Sequence, residues 1–528
     1  MSATVRRTPS APLGLLLGVG VLAGVALGSL GVLVAIVLVA AMLVIAGSAS
    51  VTAGTMWRPL LVVAIAAGIG WGRAAISDDA LPTDAEADVL IGSSGGYGTV
   101  VSMPQSGTNS ERVILHVDTV MTRDDTMATA DLRIMVFLPA GSSVNVGDRL
   151  RMIWSYTSVE ALAPGFADYV KASRVPGVAS AWATETVSVG TSWRRHVVDA
   201  RRVVRDRLER LIPGDAGALA SGIVTGDDAG LSDATVSAFQ HTGTSHVTAV
   251  SGQNIAMLLG AWAVLFRSKV RRRMFAMQVL ILLIVWAYAL FVGMSPPAVR
   301  AALFASLVIL APRSGHRPDM VTILFVTIAA MLLWDPTLAE TLSFWLSMVS
   351  SAALITTLQW RGSSRFSTQV KGTVLALIAA QLATVPITIS SFGTWSMGSI
   401  VANLLIAPLI GVAFPLTFAL ALLATIAEPV AERIAFVPEI VLRLVIEIVA
   451  GVDQAFGVMQ FAAIGPVAVA AIGVLCVAAL VALSVDVGRW RSMLAERYGR
   501  RFSGMLVGWM LIWAVAVLVI AQSLDAMH

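Results

Sequence analysis

A group of polar side chains opens an otherwise apolar segment near residue 250. His246, Ser251, Gln253 and Asn254 lie in one short stretch, directly before apolar sequence that continues to Val264. In hydrocarbon such groups need hydrogen-bond partners or water, and leaving one unpaired costs on the order of several kcal/mol. The cluster therefore indicates a segment that faces a helix-bundle interior or a water-filled cavity.

A second polar segment precedes this cluster and contains Gly226, Asp227, Gly230 and Ser232. Its small and charged residues are typical of a polar re-entrant segment, and we expect it to accompany the cluster. Helix–helix packing is the alternative for both segments, because Ser, Gly and Asn also serve as packing residues between membrane helices.

Nucleophilic catalysis is a further alternative, with His246 as the base and Ser251 as the nucleophile. Such a pair must lie within hydrogen-bond reach. The offset between these two positions fits one face of a helix poorly, since neighbours on a helix face are three or four residues apart. The spacing therefore favours a polar path or a packing contact over a Ser–His enzyme.

Arg300 follows two prolines, Pro296 and Pro297, inside apolar sequence. Proline removes a helical hydrogen bond, and backbone groups freed at membrane depth are tolerated only where they are buried or line a cavity. An arginine at that depth indicates a functional site, unless its side chain extends from a helix end to the interface. Gln381 and Asn403 interrupt later apolar runs, where they either line the same path or bond across helices.

The composition predicts a polytopic α-helical membrane protein. Of the 528 residues, 57% are hydrophobic and 13% are charged, whereas an ordinary soluble domain carries about 25% charged residues. Several apolar runs approach the length of about 20 residues that a membrane-spanning helix requires. The single cysteine, Cys476, excludes a disulfide within the chain and a cysteine zinc cluster.

The placement of arginines predicts the topology. Arg6, Arg7 and Arg58 flank the first apolar runs at ends expected to be cytoplasmic, so the N-terminus lies inside and the segment after Trp71 lies outside. We predict roughly 11–13 spans, grouped as N-terminal helices (1–71) and a larger channel domain (214–528). The predicted spans include 13–30, 31–47, 57–71, 274–294, 321–333, 342–358, 374–389, 400–426, 467–483 and 505–520.

Residues 72–190 predict a small extracytoplasmic β-domain inserted between the helices. Polar and apolar residues alternate in short stretches near 98–103, 112–118, 132–138, 149–156 and 178–189, and Val113, Leu115 and Val117 share one face. About five such strands with one long insertion suit a β-barrel of the OB type. OB folds bind single-stranded nucleic acids by stacking bases on aromatic side chains beside a basic groove. The candidate contacts share strand faces in pairs, Arg133 with Phe137 and Arg149 with Arg151.

Residues 191–213 predict a basic amphipathic helix. Val204 and Leu208 recur at helical spacing, while arginines that include Arg201 and Arg205 occupy the remaining positions. Such a helix usually lies in the membrane interface. As an alternative, its arginines form a positive collar that guides a polyanion toward a pore.

The sequence lacks the motifs of two enzyme classes. It has no G-x-x-x-x-G-K-[ST] loop, which excludes an ATPase motor of that class. Its six histidines are scattered and form no H-x-H-x-D-H cluster. We therefore expect no nuclease or ATPase activity, no metal and no cofactor.

The polar motifs together resemble one known family. G-D-x-x-G-L-S, F-x-x-T-G-x-x-H and S-G-x-N follow one another between Gly226 and Asn254, and S-P-x-x-x-R-A follows at 295–301. With further matches over about residues 57–485, the chain resembles the ComEC competence-protein family. Many members end in a metallo-β-lactamase-like domain, which has no counterpart here, so we expect the form that lacks it.

The resemblance implies a multi-pass channel in the cytoplasmic membrane that passes single-stranded DNA during natural transformation. It implies contact with membrane lipid, a DNA receptor, a competence pilus, a cytoplasmic helicase or motor, and a separate nuclease. The residues expected to line the DNA path are His246, Ser251, Gly252, Gln253, Asn254, Arg300, Gln381 and Asn403. Transport of another polar or anionic solute is the alternative function.

Overall fold

The computed structural model describes residues 89–106, 110–122, 126–139, 142, 144–162, 166–167, 170, 173–248, 252–265, 274–311, 320–358 and 366–460, together with 69–70, Val21, Val25 and Cys476. Ser251 and nearly all of the spans predicted at 13–30, 31–47, 57–71, 467–483 and 505–520 lie outside the described residues. The chain divides into two compact units. One comprises Met1–Asp79, Leu303–Trp395 and Met459–His528, and the other comprises Ala80–Ala302 and Ser396–Val458.

The second of these units begins with a sheet of six strands. They are β1 (Ser93–Val100), β2 (Gln105–Ser106), β3 (Ser110–Thr122), β4 (Met127–Pro139), β5 (Arg149–Ser158) and β6 (Gly177–Ser188). β1 pairs with both β3 and β5, β3 pairs with β4, and β6 pairs with β5 and β4. The β4–β6 contact is parallel and the others are antiparallel. The pairings therefore run from β1 through β3, β4, β6 and β5 back to β1.

Alternation along each strand fills the interior of this sheet. On β3, Val113, Leu115 and Val117 are buried while the residues between them are half-buried, because successive side chains of a strand point to opposite faces. Trp154 on β5 joins this core and donates its indole N–H to Ser93 Oγ at 2.9 Å. The five predicted strands thus overlap β1, β3, β4, β5 and β6.

Eight helices complete the described part of the second unit, and a ninth contributes its first turns. They are α1 (Trp193–Leu211), α2 (Asp215–Thr225), α3 (Asp233–His241), α4 (Gly252–Leu265), α5 (Met274–Phe291), the start of α6 (Pro296–Leu310) and, after the other unit, α10 (Gly398–Ile426), α11 (Glu428–Ile434) and α12 (Phe436–Phe456). From its second residue to its end, α2 is fully buried. Its core neighbours come from α1, α3, α10 and α12.

The other unit is a helical bundle. It contains the rest of α6, α7 (Met320–Trp334), α8 (Leu342–Leu358) and α9 (Phe366–Phe392), with a short pairing of β7 (Thr394–Trp395) and β8 (Met459–Gln460). Phe344 and Trp345 lie in its core with ring centroids 5.6 Å apart. The Trp345 indole donates to the Ala339 carbonyl at 2.6 Å, so its N–H is paired although it is buried.

Two helices among the described residues are long and apolar enough to cross a membrane, judged by length and composition. They are Gly372–Ser391 within α9 and the whole of α10. Four shorter apolar helices cover Phe275–Phe291, Pro296–Leu310, Met320–Trp334 and Leu342–Ile355. A span needs about 20 residues at a rise of about 1.5 Å each. The larger number of spans expected from the sequence stays a prediction.

The prolines act differently from the sequence expectation. Pro296 and Pro297 form the first turn of α6 instead of interrupting a helix, a position where the missing N–H has no helical partner to lose. Pro386 in α9 and Pro408 and Pro415 in α10 lie inside helices that are each continuous through them. Proline inside a helix predicts a kink or a break, and these three residues do not break their helices.

Candidate functional site

The polar cluster begins with two hydrogen bonds that link α4 and α5 to the end of α2. Asn254 Nδ2 donates to the Ile223 carbonyl at 2.9 Å, and Tyr288 Oη on α5 donates to the Val224 carbonyl at 3.3 Å. The last carbonyl groups of a helix lack partners within the helix, so these two side chains supply them. Asn254 is only 3% exposed, which makes it a buried link between helices.

A close backbone approach holds the segment before α4 against α2. A side-chain carbon at Gly222 would lie 2.2 Å from the Thr248 carbonyl oxygen and 3.1 Å from Asp228 Cβ. Thr248 Oγ1 in turn donates to Asp228 Oδ2 at 2.8 Å. Glycine is therefore required at position 222, because no larger residue fits this contact without a shift of the backbone.

Arg300 meets the start of α4 from the side of α6. A side-chain carbon at Gly252 would lie 2.9 Å from Arg300 Nη2 and 3.4 Å from Ala301 Cβ. The guanidinium group therefore lies directly over the first residue of α4. Arg300 is half-buried, and its Nη1 is excluded from solvent without a hydrogen-bond partner among the described residues.

The remaining predicted path residues fall into two groups. His246 and Gln253 are exposed. Asn403 is buried in α10 and donates to the Ser399 carbonyl of its own helix at 2.8 Å, while Gln381 is half-buried in α9 of the other unit. The structure thus brings Gly252, Asn254 and Arg300 together. The Asn254 hydrogen bond to another helix matches the packing alternative, whereas Asn403 bonds within its own helix.

The second polar segment forms the connection between α2 and α3. Gly226 ends α2 with a positive φ of 80°, a conformation that glycine adopts without a steric penalty. Ser232 caps α3 by accepting the Thr235 N–H at 3.3 Å, and its hydroxyl donates to Asp215 at 2.6 Å. Gly230 approaches Ala218, with a side-chain carbon there 3.1 Å from Ala218 Cβ.

Asp227, in this connection, forms an ion pair with an arginine of α1. Its carboxylate accepts from Arg205 Nη1 at 3.0 Å, and Arg205 also bonds the neighbouring Asp206 at 3.0 Å. Burial lowers the pKa of the nearby Arg201, although Asp227 partly raises it. A buried or half-buried carboxylate–guanidinium pair needs both partners, because removing one leaves an uncompensated charge.

Helix α1 connects the β-domain to the helices of its unit. Arg201 donates to the Pro104 carbonyl at 2.8 Å and Arg202 donates to the Val144 carbonyl at 2.7 Å. Its apolar side packs Leu208 into the helical core, a burial worth about 1.5–3 kcal/mol. Several arginines assigned to a membrane-surface helix therefore bind protein groups, and lipid contact by the helix stays a prediction.

A buried carboxylate lies where α1 meets the β-domain. Glu111 on β3 is 7% exposed, and one of its oxygens is 3.9 Å from Arg202 Nη2. Burial raises the pKa of Glu111 above its ordinary value, although Arg202 and Arg205 partly lower it. The folded protein therefore holds the Glu111 proton more tightly than the unfolded chain does.

We expect Glu111→Gln to reduce the pH dependence of stability. Because the folded-state pKa is raised, the unfolded chain loses this proton first, so stability falls as the pH rises from about 4.5 through the folded-state pKa. Thermal unfolding midpoints of the purified protein between about pH 4 and 7 should fall less in this variant than in the parent. Glu185→Gln, on the exposed surface of β6, is the control. Equal falls in parent and Glu111→Gln would contradict the assignment.

The candidate nucleic-acid contacts of the β-domain differ in accessibility. Arg133 is exposed, whereas Phe137 packs against Phe166 with ring centroids 6.1 Å apart. Arg149 pairs with Asp118 at 3.0 Å. Arg151 is exposed and its guanidinium lies 5.9 Å from the centre of the Tyr97 ring, a cation–π geometry.

The sequence analysis missed an aromatic residue on the same domain. Trp182 is 71% exposed and lies in a bulge of β6, because Ile153 pairs with Ala183 while Trp154 pairs with Ala181. A bulge adds an unpaired residue and redirects its side chain. An apolar Trp inside otherwise regular alternation was the available signal, but a bulge depends on pairing with β5 and is not visible in one strand.

Metal ligands are not gathered among the described residues. No group of three or more His, Cys, Asp or Glu side chains there is placed to hold a metal ion. The expectation of a protein without metal or cofactor stays a prediction.

Comparison with known proteins connects this site to a family. The model of the family described as "Competence protein" matches residues 223–485. Through these residues, the chain belongs to the competence-protein family. The resemblance seen in the motifs is confirmed, and the match begins at Ile223, whose carbonyl accepts the Asn254 hydrogen bond.

Two curated proteins are similar to parts of the chain. ComE operon protein 3 of Bacillus subtilis (strain 168) is 26% identical over 223 residues, which cover 41% of this chain and 28% of that protein. The uncharacterized protein YcaI of Escherichia coli (strain K12) is 34% identical over 180 residues, which cover 32% of this chain and 24% of YcaI. The matches thus span well under half of either relative. No solved structure matches the chain.

The competence-protein match contains the helical part of the site. Gly226, Asp227, Asn254, Arg300 and Asn403 all lie within residues 223–485. The β-domain and α1 precede the matched segment. Among the residues described above, the polar contacts between α2, α4 and α6 are therefore the part of the candidate site that belongs to the family region.

Proposed function

We propose that this protein acts in DNA uptake, as the channel that carries single-stranded DNA across the cytoplasmic membrane during natural transformation. The observation that carries the proposal is the match of residues 223–485 to the competence-protein family. This segment holds the half-buried Arg300 and the exposed His246 and Gln253. A phosphate chain that crosses a membrane needs hydrogen-bond donors along its route, and these side chains provide them.

The proposed path residues include a single arginine, which suits passage of a DNA strand better than its retention. Each neutralised phosphate adds salt-sensitive affinity, so a route rich in arginine would hold the strand. Arg300 stands among neutral donors, including Gln253. Neutral amide and hydroxyl donors guide an anion without the affinity that a row of ion pairs would create.

The β-domain is proposed to lie outside the membrane and to receive the strand. The order β1, β3, β4, β6 and β5 in its closed pairings supports an OB-type barrel. The exposed Trp182, with the exposed Arg151 beside Tyr97, would offer a stacking and cationic surface of the kind that OB folds present to single strands.

A labelling experiment tests this topology. We expect Asp131→Cys on β4, a position whose side chain is 90% exposed, to react with a membrane-impermeant thiol reagent in intact cells. The native Cys476 is buried, and the parent protein serves as the background control. Labelling of Asp131→Cys only after lysis would place the β-domain inside and overturn the arrangement.

The partners follow from the proposed role. A DNA receptor and a competence pilus would deliver DNA to the β-domain, a cytoplasmic helicase or motor would draw the strand inward, and a separate nuclease would remove the second strand. Membrane lipid would surround α9 and α10, which are long and apolar enough to span.

Uptake of labelled DNA by a deletion strain tests the function itself. We expect the strain to bind DNA at its surface without internalising it, and a plasmid copy of the gene to restore internalisation. Normal internalisation by the deletion strain would overturn the proposal and favour transport of another anionic solute, since a half-buried arginine suits any anion.

A further inference from the structure

Arg300 carries a positive charge that the described residues do not balance. Its Nη1 is excluded from solvent without a hydrogen-bond partner there, and no carboxylate among those residues forms an ion pair with it. A buried cation without a partner is costly, and an unpaired polar atom in a folded protein calls for an unseen ligand or water. An anion would satisfy this group.

A second unpaired donor lies one turn earlier. Ser295 Oγ is also excluded from solvent without a partner among the described residues. Ser295 directly precedes α6, and its carbonyl accepts the Val299 N–H at 3.0 Å. Because Pro296 and Pro297 carry no N–H groups, the start of α6 has few backbone donors. Arg300 is therefore the main donor of this part of α6 that lies near α4.

The start of α4 adds a second positive element. Gly252, the first residue of this helix, leaves room that a side-chain carbon would fill at 2.9 Å from Arg300 Nη2. The N-terminus of a helix carries a partial positive charge and backbone N–H donors, which bind phosphate and other anions. The Arg300 guanidinium thus lies against a helix end of the same sign, an arrangement that an anion nearby would stabilise.

We propose that Arg300 and the start of α4 at Gly252 form an anion site for one phosphate group. The guanidinium fork matches two phosphate oxygens, and the helix N–H groups donate to the others. Arg300 as a whole is half-buried, so an anion reaches it from the open side. That the phosphate belongs to single-stranded DNA rests on the proposed function, whereas binding of a phosphate group does not.

Direct binding to the purified full-length protein in detergent tests the anion site. Inorganic phosphate should raise the thermal unfolding midpoint saturably, while chloride at matched ionic strength should not. We expect Arg300→Gln and Gly252→Ala each to weaken phosphate binding by tenfold or more. Arg300→Lys keeps the charge but lacks the planar guanidinium group, so its affinity for phosphate should lie between those of these two variants and that of the parent. Arg433→Gln, on the exposed side of α11, should bind like the parent.

The outcomes separate this proposal from the proposed function. Loss of phosphate binding in Arg300→Gln, with a phosphate-free midpoint no lower than that of the parent, supports the anion site even if DNA uptake is normal. A parent protein that phosphate does not stabilise, or an Arg300→Gln variant that binds it as well as the parent, overturns the site even if uptake fails. If Gly252→Ala does not fold, Arg300→Gln and Arg300→Lys still decide the question.

A salt titration distinguishes free phosphate from a DNA strand as the occupant. Binding of a thymidine oligonucleotide should weaken with salt, and Arg300→Gln should lower the slope of log affinity against log salt by about 0.7, the contribution of one phosphate contact on a single strand. An unchanged slope together with lost phosphate binding would assign the site to a small free anion, contradicting the DNA assignment.

Discussion

Replacing Arg300 by leucine should reduce transformation by roughly 10- to 100-fold while the protein remains in the membrane at its normal level. A hydrogen bond to a charged group contributes about 1.5–3 kcal/mol, and each 1.4 kcal/mol corresponds to about a tenfold change. Loss of the guanidinium therefore raises the free energy of a phosphate at this point of the path by about that amount. The leucine side chain is apolar and creates no unpaired charge, so the fold should tolerate it.

The measurement is the transformation frequency of a strain carrying each variant at equal protein level. Arg300→Lys should retain part of the activity because it keeps the positive charge, and Arg433→Leu on the exposed side of α11 should be normal. DNA bound at the cell surface should be unchanged in all strains. Transformation at the parental frequency by Arg300→Leu would show that the strand takes another route.

Replacing Asn254 by leucine should lower the stability of the protein by about 1–3 kcal/mol, the range for leaving a buried acceptor unpaired. The acceptor is the Ile223 carbonyl at the end of α2, which receives Asn254 Nδ2 at 2.9 Å. Because Asn254 is buried, no water can replace the lost donor. The variant should unfold at a lower temperature than the parent and transform poorly as a consequence.

The neighbouring Gln253 provides a matched control. It is exposed one residue earlier on the same helix, so Gln253→Leu should leave the unfolding midpoint within the scatter of surface substitutions, about 0.5 kcal/mol. Thermal unfolding of both purified variants in detergent gives the comparison. An Asn254→Leu protein with a normal midpoint that still fails to transform would mean that Asn254 contacts the DNA strand and that its hydrogen bond to α2 does not stabilise the fold.

The sequence alone determined the elements and the family. Alternation of Val113, Leu115 and Val117 predicted a strand because the side-chain period of a strand is two residues, and that strand is β3. Continuous apolar runs predicted α8 and α10 because each is long enough to be recognised without its neighbours. The motifs from Gly226 to Arg300 identified the family because each motif lies within a few neighbouring positions of the sequence, so it is recognisable without the fold.

Only the tertiary structure decided what the polar residues contact. Gln253 and Asn254 are adjacent and chemically alike, yet Gln253 is exposed and Asn254 bonds a carbonyl 31 residues away. Neighbouring residues on a helix point about 100° apart, and which direction faces another helix depends on how the helices pack. For the same reason, composition alone could not show that Arg205 binds Asp227 across 22 positions.

Backbone proximity was likewise invisible in the sequence. Gly222 and Gly252 are two of 44 glycines, and nothing in their local sequence shows that one contacts the Thr248 carbonyl and the other the Arg300 guanidinium. Likewise, the exposure of Trp182 results from a bulge that exists only through the register with Ile153 and Trp154 on the neighbouring strand. Close approach and register are properties of pairs of distant segments, so only the folded chain determines them.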